Sequence, residues 1–238
     1  MAQGHDAIPN LLGMARTAVE AGNNEEAISY FNRVLEIDPT VSEAWLGKGN
    51  AVAQQSSLDN VRMREVAVSF GHAIATSPEE DRPLTARFAI AELTNIGLKT
   101  LIRLQEHVVQ FAAVQGMAER RATVSLAILD AMEVGLRWVP DFEQGLKLMV
   151  SAGKEALSAG LTPTMAAEVQ GKIAAARAKL RVINPEEAAA EDAAEADAAK
   201  LEQIRAEAAA HQRQVDSWAA YVAFGIAGMA FLLWLFTR

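Results

Sequence analysis

Residues 25–40 read EEAISYFNRVLEIDPT. Ala27, Phe31 and Val34 fall at four- and three-residue steps and Pro39 closes the segment, so the stretch predicts an amphipathic helix with a defined stop. The intervals are not confined to this stretch. Ala27, Phe31, Val34 and Pro39 are separated by four, three and five residues, and Val66, Phe70, Ala73 and Pro78 by the same four, three and five. The segments before them correspond as well: Leu11 and Ala15 in one, Trp45 and Gly49 in the other, each a large residue followed one turn later by a small one. Such a gap admits a side chain from a neighbouring helix, which makes 25–37 the second helix of a stacking unit.

Composition sets the frame around these units. The chain of 238 residues is 51% hydrophobic but only 6% aromatic, a balance made by Ala, Leu and Val that favours helix over sheet. It has no Cys, which excludes disulfides, thiolate catalysis and cysteine zinc sites. A net charge of −8 argues against a nucleic-acid partner, because phosphate neutralisation needs a basic stripe. Apolar periodicity predicts helices near 8–21, 25–37, 42–55, 60–76, 84–115, 118–138, 142–159 and 164–183, punctuated by Pro39, Pro78, Pro140, Pro163 and Pro185. The stretch 84–115 reads either as one helix or as two, broken near Gly97. No strand is expected, and the fold class is all-α.

The run LLGMARTAVEAGNNEEAISYFNRVLEIDP, residues 11–39, resembles the tetratricopeptide repeat (TPR), a helix-turn-helix unit of about 34 residues. Residues 42–78 follow the same pattern with one departure. Trp45 to Val66 spans 21 residues against 16 from Leu11 to Ala27, so five extra residues lie in the turn around QSSLDNVRMR. Beyond Pro78 the signature fades. Leu84 stands where Trp45 stood after Pro39, but Phe88 follows in place of a small residue, and Arg177 holds the large apolar position before Pro185. The resemblance implies a helical-hairpin solenoid over 8–184, with TPR-like units at 8–41 and 42–80 and divergent hairpins over 81–184, preceded by a short tail at 1–7.

Partner binding is what the resemblance implies about function. A tetratricopeptide domain holds a peptide or helix on the concave face lined by the first helix of each pair. Carried onto this chain, that face presents Leu12, Arg16 and Glu20 from the first unit and Leu46, Asn50 and Gln54 from the second. Family members that bind chaperone tails keep an Asn at the place of Asn50. They also need a Lys and an Asn where Leu12 and Arg16 stand, and a further Asn where Gly47 stands. The alternative is that all six are solvated helix-face residues.

Residues carrying chemistry are sparse. His5, His72, His107 and His211 are isolated, with no H-E-x-x-H spacing. GKGN at 47–50 lacks the spacing and preceding strand of a phosphate loop, and its glycines read as packing gaps. No catalytic residue, metal ligand or cofactor is expected, and the chain is not read as an enzyme.

Composition breaks at Pro185. Residues 185–216 are Ala, acid and amide rich and predict an exposed helical stalk, with a weak seam through Leu201, Ile204, Ala208, His211, Val215, Trp218 and Val222, continuing into the run that follows, that suits a homo-oligomer. Residues 217–238 contain WAAYVAFGIAGMAFLLWLF at 218–236, uncharged and roughly 28 Å long as a helix, the thickness of a bilayer core. With no secretory signal at the N-terminus, this arrangement predicts a single-pass tail anchor with the repeat domain in the cytoplasm. The function expected is a membrane-anchored adaptor or scaffold for a protein partner. The alternative is a membrane-organising protein that self-assembles through its stalk and transmembrane helix, a layout shared with tail-anchored fission adaptors. A bundle of the apoptosis-regulator type shares the anchor, but its N-W-G-R signature is absent.

Overall fold

The computed structural model describes residues 6–111 and 114–236, and the side-chain environments of those up to 214. Among the described residues the elements are all α-helices: α1 (Ile8–Glu20), α2 (Asn24–Ile37), α3 (Ser42–Gln54), α4 (Met63–Thr76), α5 (Arg82–Phe111), α6 (Met117–Trp138), α7 (Glu143–Ser158), α8 (Pro163–Ile183) and α9 (Pro185–Phe236). The chain divides into two compact units, Met1–Asn184 and Pro185–Arg238. Helices α1 to α8 belong to the first and α9 to the second.

Local chemistry sets the helix ends. Gly22 adopts a left-handed conformation at φ 74° between α1 and α2, which a residue without Cβ accepts at low cost. One residue on, the Asn23 side chain accepts from the Glu26 backbone N–H while its amide donates to the Glu26 carboxylate at 2.7 Å, a reciprocal cap that starts α2. Thr162 caps α8 on the Met165 N–H, with Pro163 in the first turn.

Each of α1 to α8 packs on its neighbours in sequence, and α1 also touches α3, α4 touches α6, and α5 touches α7. That pattern makes four antiparallel hairpins stacked in a row. The large-on-small packing implied by the tetratricopeptide resemblance is present in detail. A Cβ on Gly49 would meet the Phe70 ring of its own hairpin at 2.6 Å, and one on Gly47 would overlap the Phe31 ring of the hairpin before. The glycines of GKGN are therefore packing gaps. Trp45 is only half-buried: its ring stacks on His72 at 4.4 Å and its Nε1 donates to the Pro39 carbonyl at 2.9 Å.

Beyond Pro78 the packing positions differ from those reached by counting from the prolines. That count arrives at Leu84 and Phe88 in α5 and at Arg177 in α8, where the signature lapses. Leu84 is 71% and Phe88 47% exposed. The buried large-and-small pair in α5 is Leu93 and Gly97, four apart, and α6 buries Val124, Ile128 and Ala131 at four- and three-residue steps in the same core, with Ile128 at 3.4 Å from where a Gly97 Cβ would lie. In the fourth hairpin the pair is Met149 and Gly153, facing Val169, Ile173 and Ala176 at the same steps, with Ile173 Cγ1 only 2.7 Å from where a Gly153 Cβ would lie. The 4-3 spacing thus continues while the prolines drift out of phase with it. Helix α5 also runs unbroken through Gly97, whose missing Cβ makes room for Leu148 of α7 at 2.8 Å.

The five extra residues of the second unit lie in the connection 55–62. Leu58 and Val61 pack on the main core, and Asp59 pairs with Arg120 of α6, whose Nη1 lies 3.0 Å from His107 Nε2 on α5. The insertion therefore ties the second hairpin to the third.

Helix α9 continues from the stalk composition into the apolar run as one 52-residue helix. Leu201 and Ile204 are 50% and 61% exposed. The expected seam beyond residue 214 and the expected membrane span 218–236 lie outside the described side chains. Among the residues whose side chains are described, up to 214, no helix is long and apolar enough to cross a membrane.

Candidate functional site

Helices α1, α3, α5 and α7 are the first members of the four hairpins. Between α3 and α5 lies a polar groove of about 170 Å³. Asn50 and Gln54, one turn apart on α3, face Glu92, Asn95, Lys99 and Arg103 on α5. Steps of three and four along α5 carry these four side chains down one flank of the helix.

None of the six makes a side-chain hydrogen bond or ion pair with another described residue. Three carboxamides and two cations provide donors and acceptors for a peptide backbone and, against the one carboxylate of Glu92, a positive balance for an acidic group. The floor is apolar, from Ala53 and half-buried Ile96, and Thr100 closes it with its hydroxyl bonded to the Ile96 carbonyl at 2.8 Å.

A larger depression of about 510 Å³ lies on α1 and α2, where Asn23, Glu26 and Tyr30 already bond one another. Asn23 bonds Glu26, and the Tyr30 hydroxyl donates to the same carboxylate at 3.0 Å. That hydrogen bond, then burial, raises the Tyr30 pKa above its ordinary value. At the opposite end, Lys172 of α8 lies between Asp130 and Glu133 of α6 and Glu168 of its own helix, at 2.9–3.2 Å. Burial acts to lower its pKa, but the three hydrogen bonds together outweigh it and hold the ammonium well above its usual range. This cluster closes the array and offers no open valence to a ligand.

The six residues named from sequence take different places. Leu12 is 8% exposed in the core of the first hairpin, so its side chain serves α1–α2 packing. Leu46 is half-buried against the main core. Arg16 is exposed, but its guanidinium is held by Glu43 of α3, with Nε at 2.9 Å from Oε1. Glu20 is exposed on the last turn of α1, apart from the groove. Asn50 and Gln54 come together, and α5 supplies Glu92, Asn95, Lys99 and Arg103, which the repeat signature does not single out. The polar steps along α5 are the signal that could find them. A repeat register counted from Pro78 hides that signal, because it points to Leu84 and Phe88 instead. Among the described residues no cluster of His, Asp and Glu is placed to hold a metal ion.

No family model matches the chain, and no curated protein matches it. Solved structures that resemble it include the MamA protein, at 14% identity over 76% of this chain and 94% of that one, with a TM-score of 0.31. A MamA RS-1 ArsTM double mutant shows 15% identity over 72% and 94%, with a TM-score of 0.32. YrrB, described as a TPR protein with an unusual peptide-binding site, shows 16% identity over 78% and 90%, with a TM-score of 0.28. At these TM-scores the likeness carries no weight, and fold and site rest on the chain's own geometry.

Proposed function

We propose that this chain is a tetratricopeptide-type adaptor, held at a membrane by residues 218–236 with its repeat domain on the cytoplasmic side, which binds a protein segment in the α3–α5 groove. The observation that carries the reading is the convergence of six unengaged polar side chains, from Asn50 to Arg103, on one groove. Their chemistry suits an extended peptide bearing at least one carboxylate: Asn50 and Gln54 bond its backbone while Lys99 and Arg103 hold the acid. The membrane part rests on sequence alone, on an uncharged run of bilayer length.

Site-specific photo-crosslinking in the native cell tests the binding. A probe at Gln54 is expected to capture a discrete protein that a probe at Arg33, on the second helix of the first hairpin, does not. Capture from both positions alike would remove the groove from the proposal. Alkaline extraction of membranes tests the anchor: the full chain stays in the pellet, and deletion of 217–238 releases it.

A further inference from the structure

Helix α5 is apolar on two opposite faces. One carries Ile90, Leu93, Leu101 and Leu104 into the core, each at most 3% exposed. The other carries Leu84, Phe88, Leu98, Ile102 and Val109, which are 71%, 47%, 47%, 45% and 84% exposed. With exposed Ala91, Asn95 and Gln105 between them, these residues form an unbroken series at alternating four- and three-residue steps from 84 to 109. That is the 3.5-residue period of a helix–helix seam, about 38 Å long. An apolar stripe of this length on a charged chain marks an interaction surface.

We propose that the stripe pairs with the α5 stripe of a second copy of this chain, antiparallel, about a two-fold axis midway between Asn95 and Leu98. The flanking charges select the occupant. In this register Glu92 lies beside the partner's Lys99 and Lys99 beside the partner's Glu92, so one alignment makes two opposite-charge pairs by symmetry. Neither side chain is engaged with another described residue of its own chain. The layers also match in volume: Leu84 meets the partner's Val109, Phe88 the partner's Gln105, and Ala91 the partner's Ile102. A parallel pairing would set Phe88 on Phe88 next to Ala91 on Ala91, a bulge beside a gap, and would align the two helix dipoles.

This surface rests on a different observation from the peptide-binding reading, but the two share Glu92, Asn95 and Lys99 and so compete for those side chains. A dimer with no captured peptide would remove only the adaptor proposal, and a captured peptide with no dimer only this one.

The test uses the absence of native Cys in the full chain, in detergent micelles. An equimolar mixture of Leu84→Cys and Val109→Cys chains is expected to form a disulfide-linked dimer on mild oxidation, because facing layers of the seam come within disulfide reach. Leu84→Cys alone is expected to stay unlinked, since its two copies lie at opposite ends. Adding Glu92→Lys to both chains sets Lys beside Lys twice and lowers the cross-linking rate about tenfold. Combining Glu92→Lys on the Leu84→Cys chain with Lys99→Glu on the Val109→Cys chain restores both pairs, and with them the rate. No linkage in the mixture, equal linkage by Leu84→Cys alone, or failure of the charge exchange to restore it would each overturn the proposal.

Discussion

The Phe70 ring lies against the bare Cα of Gly49, so close that a Cβ there would stand 2.6 Å from a ring carbon. Gly49→Ala must push back a ring with no exposed surface, and is expected to cost about 1–3 kcal/mol. Gly171, on the open side of α8, has nothing within 4 Å of where a Cβ would stand, and Gly171→Ala is expected to gain about 0.5–1 kcal/mol from helix propensity alone. Urea unfolding of both variants checks the contrast. Equal effects would mean that the glycine is not a packing gap.

Ser125 is fully buried in α6 and its hydroxyl has no hydrogen-bond partner among the described residues. Its burial forfeits hydration with nothing returned. Ser125→Ala is expected to raise stability by about 1 kcal/mol, read as a higher urea midpoint at unchanged slope.

The Lys172 cluster makes an alkaline prediction. Its folded pKa lies above the ordinary 10.5, so its contribution is fully present below that pH and is lost as pH rises through the folded pKa. Lys172→Met is expected to cost about 1 kcal/mol at neutral pH, a modest value because its acidic partners are half-exposed or more. The gap between variant and parent then narrows only above pH 10.5. A gap that closed near neutral pH would assign the stabilisation to another group.

Groove and flank make separable predictions for the segment captured at Gln54. Arg103→Glu reverses an unengaged cation and is expected to weaken binding at least about tenfold, with a shallower salt dependence. Arg16→Ala is expected to leave affinity unchanged, because Glu43 already holds that guanidinium. Titration of a labelled synthetic segment at two salt concentrations distinguishes them, and equal losses would place the site on α1 instead.

Much of the fold is legible in the chain because helices and their caps are local. Asn23 with Glu26, Gly22 with its positive φ, and Thr162 before Pro163 act within a few residues of themselves, and the helix edges follow. The first two hairpins are legible for the same reason: Phe31 and Phe70 keep a fixed distance from a proline that ends their helix. The site is half legible. Asn50 and Gln54 lie in a unit whose register the prolines set, whereas Lys99 and Arg103 lie on a helix where proline spacing and packing register part company.

By itself, then, the sequence determined that the chain is helical, that its first hairpins stack large residues on small ones, and that composition changes at Pro185. Only the tertiary structure decided which face of α5 is core. That helix carries large apolar residues on both sides, Leu93 and Leu104 on one, Phe88 and Ile102 on the other, at the same three- and four-residue steps. Periodicity fixes the spacing of a stripe but not its partner. The choice belongs to Ile128 and Leu148, whose side chains fit against Gly97 and would find no gap against Phe88.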